Sequence, residues 1–150
     1  MPIFNKTRLV DVTPVITAGA YAAGDVIGGL IVFDVHSAGG GGTIRRITLI
    51  DTDNEKAAGK LYLFNSAPAA VLDNAPFAPS AADMRKLIDV VSITAADYAS
   101  VNSKAAAIKR DLAVDYAAAD GRIYAYFVCD ATPTYTTTGD LTIRLTVWED

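Results

Sequence analysis

A lone histidine, His36, stands just before a run of four glycines, Gly39, Gly40, Gly41 and Gly42. Imidazole beside bare backbone amides is a combination that can hold anions or move protons. The neighbouring residues complete neither chemistry. A phosphate loop needs a helix directly after the glycines and a Lys-Ser or Lys-Thr pair, whereas here the run enters Thr43-Ile44-Arg45, a strand pattern. No second histidine exists to share a metal, and no G-x-S-x-G elbow is present. His36 is therefore read as a surface imidazole and the glycines as a flexible or tightly turning strand connection.

Two further constellations carry oxygen-rich side chains. Asp51, Asp53 and Glu55 alternate like the opening of a calcium loop, but Lys56 stands where the loop needs a glycine and Tyr62 where it needs a bidentate Glu. A turn closing a strand accounts for the same residues. Asp115, Asp120 and Asp130 lie near Tyr116, Tyr124 and Tyr135, and acids beside aromatic rings are one way for a jelly-roll domain to grip sugars. Such rings more often fill a core or an oligomer contact. The expectation is a non-enzymatic chain with no catalytic, cofactor-binding or metal-binding residues and no cofactor.

Composition narrows the partners. The chain has 150 residues, 51% of them hydrophobic and 20% charged, enough for one domain with a sizeable core and unlike a disordered segment. A net charge of -4 argues against a nucleic-acid partner, because a phosphate backbone calls for clustered Lys and Arg. The densest basic pairs, Arg45-Arg46 and Lys109-Arg110, are read as solvated strand faces. Cys129, the single cysteine, follows an apolar run and is read as a core residue. No stretch reaches the roughly 18 apolar residues of a membrane-spanning helix, and the N-terminus has neither signal-peptide nor anchor pattern, so no membrane partner is expected and synthesis is expected in the cytoplasm.

The elements that must position these residues are strands. Segments rich in β-branched and aromatic residues recur between Gly, Pro, Asp and Asn clusters at 7–13, 26–35, 43–51, 60–65, 86–93, 105–114, 122–130 and 140–149. In the last, Leu141, Ile143, Leu145 and Val147 alternate with Thr142, Arg144, Thr146 and Trp148, the period of a half-buried strand. Leu61 and Leu63 oppose Tyr62 and Phe64, and Ile123, Ala125 and Phe127 oppose Tyr124 and Tyr126, so these strands are apolar on both faces. Ser80-Ala81-Ala82-Asp83 and Thr94-Ala95-Ala96-Asp97 carry helix-start signals that nothing sustains, predicting a turn or two each. The reading is an all-β, jelly-roll-like β-sandwich of about eight strands with one or two short helical turns. Residues 16–150 form the single domain, and residues 1–15 form either an extended N-terminal arm or the first strand.

The order and spacing of several segments resemble small structural proteins encoded in tailed-bacteriophage head gene clusters. They include Ala23-Gly24-Asp25-Val26-Ile27-Gly28-Gly29, Leu61-Tyr62-Leu63-Phe64, Asp73-Asn74-Ala75-Pro76-Phe77, Thr132-Pro133-Thr134-Tyr135 and Asp140-Leu141-Thr142-Ile143-Arg144-Leu145, over residues 21–150. The resemblance implies a capsid decoration or cement protein, usually a trimer, bound to the major capsid protein on the outer surface of the phage head. A tail, neck or baseplate β-sandwich, or a carbohydrate-binding jelly-roll module using Tyr116 and Tyr135, is the alternative. The motif consists of fold positions and carries over no binding residue. On physical grounds a cement protein needs rigid sheets and an arm or loop that grips a neighbour. Candidate contacts are Ile3, Phe4 and Arg8 in the N-terminal segment, and Val71, Leu72 and Phe77 in the apolar, Pro-rich excursion at 65–79.

Overall fold

Period-two alternation on one or both faces dictates sheets, and the chain forms two of them. The computed structural model describes residues 6–36 and 39–150. Among these residues the strands are β1 (Lys6–Val12), β2 (Val26–Asp34), β3 (Gly40–Asp51), β4 (Gly59–Phe64), β5 (Leu87–Ile93), β6 (Tyr98–Val101), β7 (Lys104–Lys109), β8 (Val114–Ala118), β9 (Arg122–Cys129) and β10 (Leu141–Glu149). A short helix, α1 (Ala81–Met84), and a single 3-10 turn at Ala95–Asp97 complete the list. The larger sheet runs β1-β10-β3-β7-β6, with β8 also pairing β3, and the smaller runs β2-β9-β4-β5, every pairing antiparallel. Apart from the β4–β5 pair and the β6–β7–β8 run, each connection crosses from one sheet to the other, which is jelly-roll wiring.

The main core lies between the sheets. Ile44, Ile47 and Leu49 of β3 and Ile143, Leu145 and Val147 of β10 meet Ile31 and Phe33 of β2 and Ile123 and Phe127 of β9. Burying each such side chain contributes about 1.5–3 kcal/mol, so this layer outweighs any surface ion pair, worth about 0–1 kcal/mol. The bidentate pair of Arg144 to Asp11, at 2.6 and 2.9 Å, thus adds little to β1 beyond its ladder with β10 and the inward packing of Val10 and Val12.

A second apolar cluster covers the outer face of the smaller sheet. Val26, Phe64, Tyr124, Tyr126 and Val128 form it, and Val71 and Phe77 from the 65–79 excursion lie on top. The excursion is fastened by hydrogen bonds at short intervals. The Tyr126 hydroxyl donates to the Ala69 carbonyl and accepts from the Val71 N–H, while the Asp73 carboxylate accepts from the Gly28 N–H and the Tyr21 and Thr17 hydroxyls. Ladder-like bonds of Asn74 and Ala75 with Val26 continue the attachment. The strand β9 is consequently buried on both faces from Ile123 to Cys129, and Cys129 is a core residue with no exposed surface.

Three expectations change in detail. The segment 105–114 is not one strand: it breaks between β7 and β8, where Asp111 takes a left-handed conformation (φ 56°) and Leu112 turns its N–H to the Arg45 carbonyl. The extra strand β6 joins β7 through Asn102 and Ser103, both at positive φ, a tight hairpin turn that suits Asn well. It sits at the sheet edge with three of its four residues exposed, and so lacks the alternation that marks the other strands. Third, the glycine run is a turn only at Gly39 (φ 85°) and strand beyond it. Gly40, Gly41 and Gly42 lie within β3 and pair with β8, and Gly42 also pairs with Glu149 of β10.

The reason for glycine there is close approach. A Cβ on Gly42 would overlap the Trp148 carbonyl and meet the Tyr116 hydroxyl at 3.0 Å, whereas a Cβ on Gly139 would meet nothing. Gly42→Ala is expected to lower the unfolding free energy in urea by about 1–3 kcal/mol through overpacking, and Gly139→Ala by less than about 0.5 kcal/mol. Equal midpoints for the two variants would contradict the packing described for β3.

Candidate functional site

The residues singled out for chemistry are drawn into fastening the sandwich. His36 is not a surface imidazole: its side chain is only 9% exposed, lying beside Gly40, where a Cβ would come within 2.6 Å of the ring. Its Nε2 is 2.7 Å from the Tyr116 hydroxyl and its Nδ1 is 3.7 Å from Glu149, which also accepts from Arg8 at 3.0 Å. Arg8 donates in addition to the Val35 carbonyl. The chain of groups Arg8, Glu149, His36 and Tyr116 therefore ties both ends of the described chain to the glycine run. Burial, with the nearby charges of Glu149 and Asp150, pushes the Tyr116 phenol up to about 12, so it is protonated near neutrality.

Asp51, Asp53 and Glu55 take the turn reading. Asp51 accepts from the N–H groups of Asp53 and Lys56, while Asp53 accepts from the N–H and hydroxyl of Thr136 and Glu55 from the Thr134 N–H. Asp140 accepts from Thr137 and from the Thr52 hydroxyl, so Asp51 closes the turn after β3 while three carboxylates, Asp53, Glu55 and Asp140, stitch it to the loop before β10. The acids beside tyrosines are likewise used internally: Asp115 with Thr43, Asp120 with Tyr124, Asp130 with Lys60. Tyr116 and Tyr135, the rings named for the alternative carbohydrate-binding reading, are 7% and 2% exposed and present no open ring face.

The candidate contacts are distributed differently. Arg8 is exposed in β1 but engaged by Glu149 and Val35. Val71 and Phe77 pack on the chain's own smaller sheet, and Leu72 stands 78% exposed on the crest of the excursion. Ile3 and Phe4 lie outside the described residues.

One surface was not anticipated from the sequence. The outer face of the larger sheet carries Leu9, 63% exposed, and Trp148, 40% exposed, together with Arg45 and Arg46. Two consecutive residues of a regular strand point to opposite faces, but β3 has a bulge here. Arg46 pairs with Thr146 and Ile44 with Val147, leaving Arg45 without a partner on β10. Both guanidinium-bearing residues consequently line one shallow depression of about 310 Å³ with Thr7, Thr146, Trp148 and Asp111. The Arg45 guanidinium stacks 4.3 Å from the indole centroid. The signal was present in the three-residue spacing of Ile44 and Ile47, both fully buried, which a flat strand cannot provide.

No family model matches the chain, and a search of curated proteins finds no relative.

The internal carboxylates set a pH dependence. Hydrogen bonds from Arg144 lower Asp11. The Thr94 N–H and then Lys109 lower Asp97, and the Tyr124 hydroxyl lowers Asp120. Burial alone would raise Asp140, but the donors on Thr137 and Thr52 hold it below the usual range. Asp51 goes the other way, raised by burial despite its N–H partners. A carboxyl lowered in the fold contributes stability that is present above its unfolded value and is lost as pH falls through the folded one. Asp83, lowered first by the Ala69 N–H, makes five lowered against one raised, so the urea midpoint should decline as pH drops from about 5 to about 2, and Asp140→Asn should make that decline shallower. A midpoint that holds steady or rises on acidification would contradict this assignment.

Proposed function

We propose that this chain is a structural protein of a tailed-phage particle, an oligomeric decoration or cement protein that binds the major capsid protein on the outer surface of the head. The observation that carries the reading is the inequality of the two outer faces. The smaller sheet is covered by the chain's own excursion, whereas the larger presents Trp148, Leu9, Arg45 and Arg46 beside the edge strand β1. Trp and Arg are the residue types enriched at the energetic centres of interfaces, and Thr7 and Thr146 beside them suit a polar rim.

Other features support the same role. Polar side chains that could have formed a reactive centre instead bond loops to strands, which gives the rigid, fastened sandwich that a load-bearing shell component requires. Among the described residues, the edges β1 and β6 of the larger sheet and β5 of the smaller have no further strand beside them, whereas the edge of β2 is partly taken by the excursion, and a cyclic oligomer would cover some of these edges. The sequence just before β1 carries Ile3 and Phe4, the large apolar residues expected as contacts of an N-terminal arm.

Light scattering on the purified protein, followed by sedimentation with expanded phage shells that lack it, tests the proposal. The expected result is a mass of three 15.8 kDa chains and saturable co-sedimentation with the shells. A monomer that remains in the supernatant would overturn it.

A further inference from the structure

The depression at Trp148 has the chemistry of a specific site. Among the described residues, Arg8, Arg122 and Arg144 each pair with a carboxylate, while Arg45, Arg46, Arg85 and Arg110 have no ion-pair partner, and of these only Arg45 and Arg46 line a common depression. The β3 bulge nevertheless places both on one face, and the break between β7 and β8 leaves Asp111 beside them at the rim of the same depression. The Arg45 guanidinium lies over the indole, 4.3 Å from its centroid, a cation–π contact that restricts the side chain before any ligand arrives. Side chains already ordered lose less entropy on binding.

We propose that this depression binds a carboxylate side chain of an extended, acidic segment of a partner protein, with Arg45 and Arg46 donating to the carboxylate and Asp111 accepting a backbone N–H of the same segment. Charge selects the ligand class. Paired guanidiniums match the two oxygens of a carboxylate. Asp111 in the same depression can accept an N–H, which a peptide segment offers and a phosphate does not. Leu9 pairs in register with Thr146, next to the depression, and gives an apolar shoulder for the segment's neighbouring side chains. With the function proposed above, on which this part rests, the segment belongs to the shell subunit.

Trp148 is the only tryptophan in the chain, so its fluorescence reports directly on the site. The 150-residue chain is titrated with a synthetic Glu-rich decapeptide, a Lys-rich decapeptide and inorganic phosphate, and the titrations are repeated with the double variants R45Q/R46Q and R45E/R46E. The expected result is a saturable spectral change with the Glu-rich peptide alone, weakened at least about tenfold in R45Q/R46Q and abolished in R45E/R46E. Loss of saturable response to the acidic peptide, equal affinity in the variants, or saturation by phosphate in its place would overturn the site. Shell co-sedimentation separates the two levels. If wild type and R45E/R46E bind shells equally, the docking inference fails and the decoration role stands; if neither binds, the decoration role fails.

Discussion

The strand β9 has to be covered on both faces, and most of the architecture follows from that requirement. Its seven residues from Ile123 to Cys129 are all buried, with Ile123, Ala125 and Phe127 facing the larger sheet and Tyr124, Tyr126 and Val128 facing away from it. The first set is covered by β3 and β10, as in any sandwich. The second set would be an exposed aromatic patch if the chain did not bring residues 65–79 across it, so this excursion is a third layer rather than a loop. The Tyr126 ring packs against Phe64 and Phe77 while its hydroxyl bonds to Ala69 and Val71. One side chain therefore provides both apolar cover and the polar partners that the excursion's backbone needs once water is excluded.

Nothing in the described chain plays that part for the larger sheet, whose outer face is left to Thr, Arg, Leu9 and Trp148. The consequence for function is direct. A jelly roll with one face closed by its own chain has a single broad face left for a neighbour, and here that face is interrupted by a bulge that aligns two arginines. Bulges of this kind re-aim side chains at a local cost in ladder hydrogen bonds. The cost in β3 is limited, because Leu112 donates to the Arg45 carbonyl that the bulge would otherwise leave unpaired.

Much of the fold was legible because period two is a strong signal wherever one or both faces are buried. Leu141 to Val147 and Leu61 to Phe64 declare their faces residue by residue, and all eight expected segments contain strand. What was not legible depended on contacts between distant residues. The break at Asp111 is set by what lies across from it on β3, and β6 is an exposed edge whose only local mark is the Asn102-Ser103 turn. The His36 environment arises because Gly40 leaves room for an imidazole from the preceding strand connection, a pairing invisible in one dimension. Val71, Leu72 and Phe77 looked alike in sequence, yet the first and third pack inward and the second does not, since alternation across a half-extended segment separates them. The bulge had a written signature, Ile44-Arg45-Arg46-Ile47, in which two buried residues stand three apart.

In the proposed role, the open face of the larger sheet, with Trp148 near one corner, is the face turned toward a phage head. Electron microscopy of shells saturated with the protein, at a resolution that shows sheet orientation, measures this directly. The account predicts density on the outer surface of the head, with the β1-β10-β3 face against the shell and the 65–79 excursion directed away from it. Density confined to the tail, or a contact made through the excursion with Trp148 facing solvent, would contradict it.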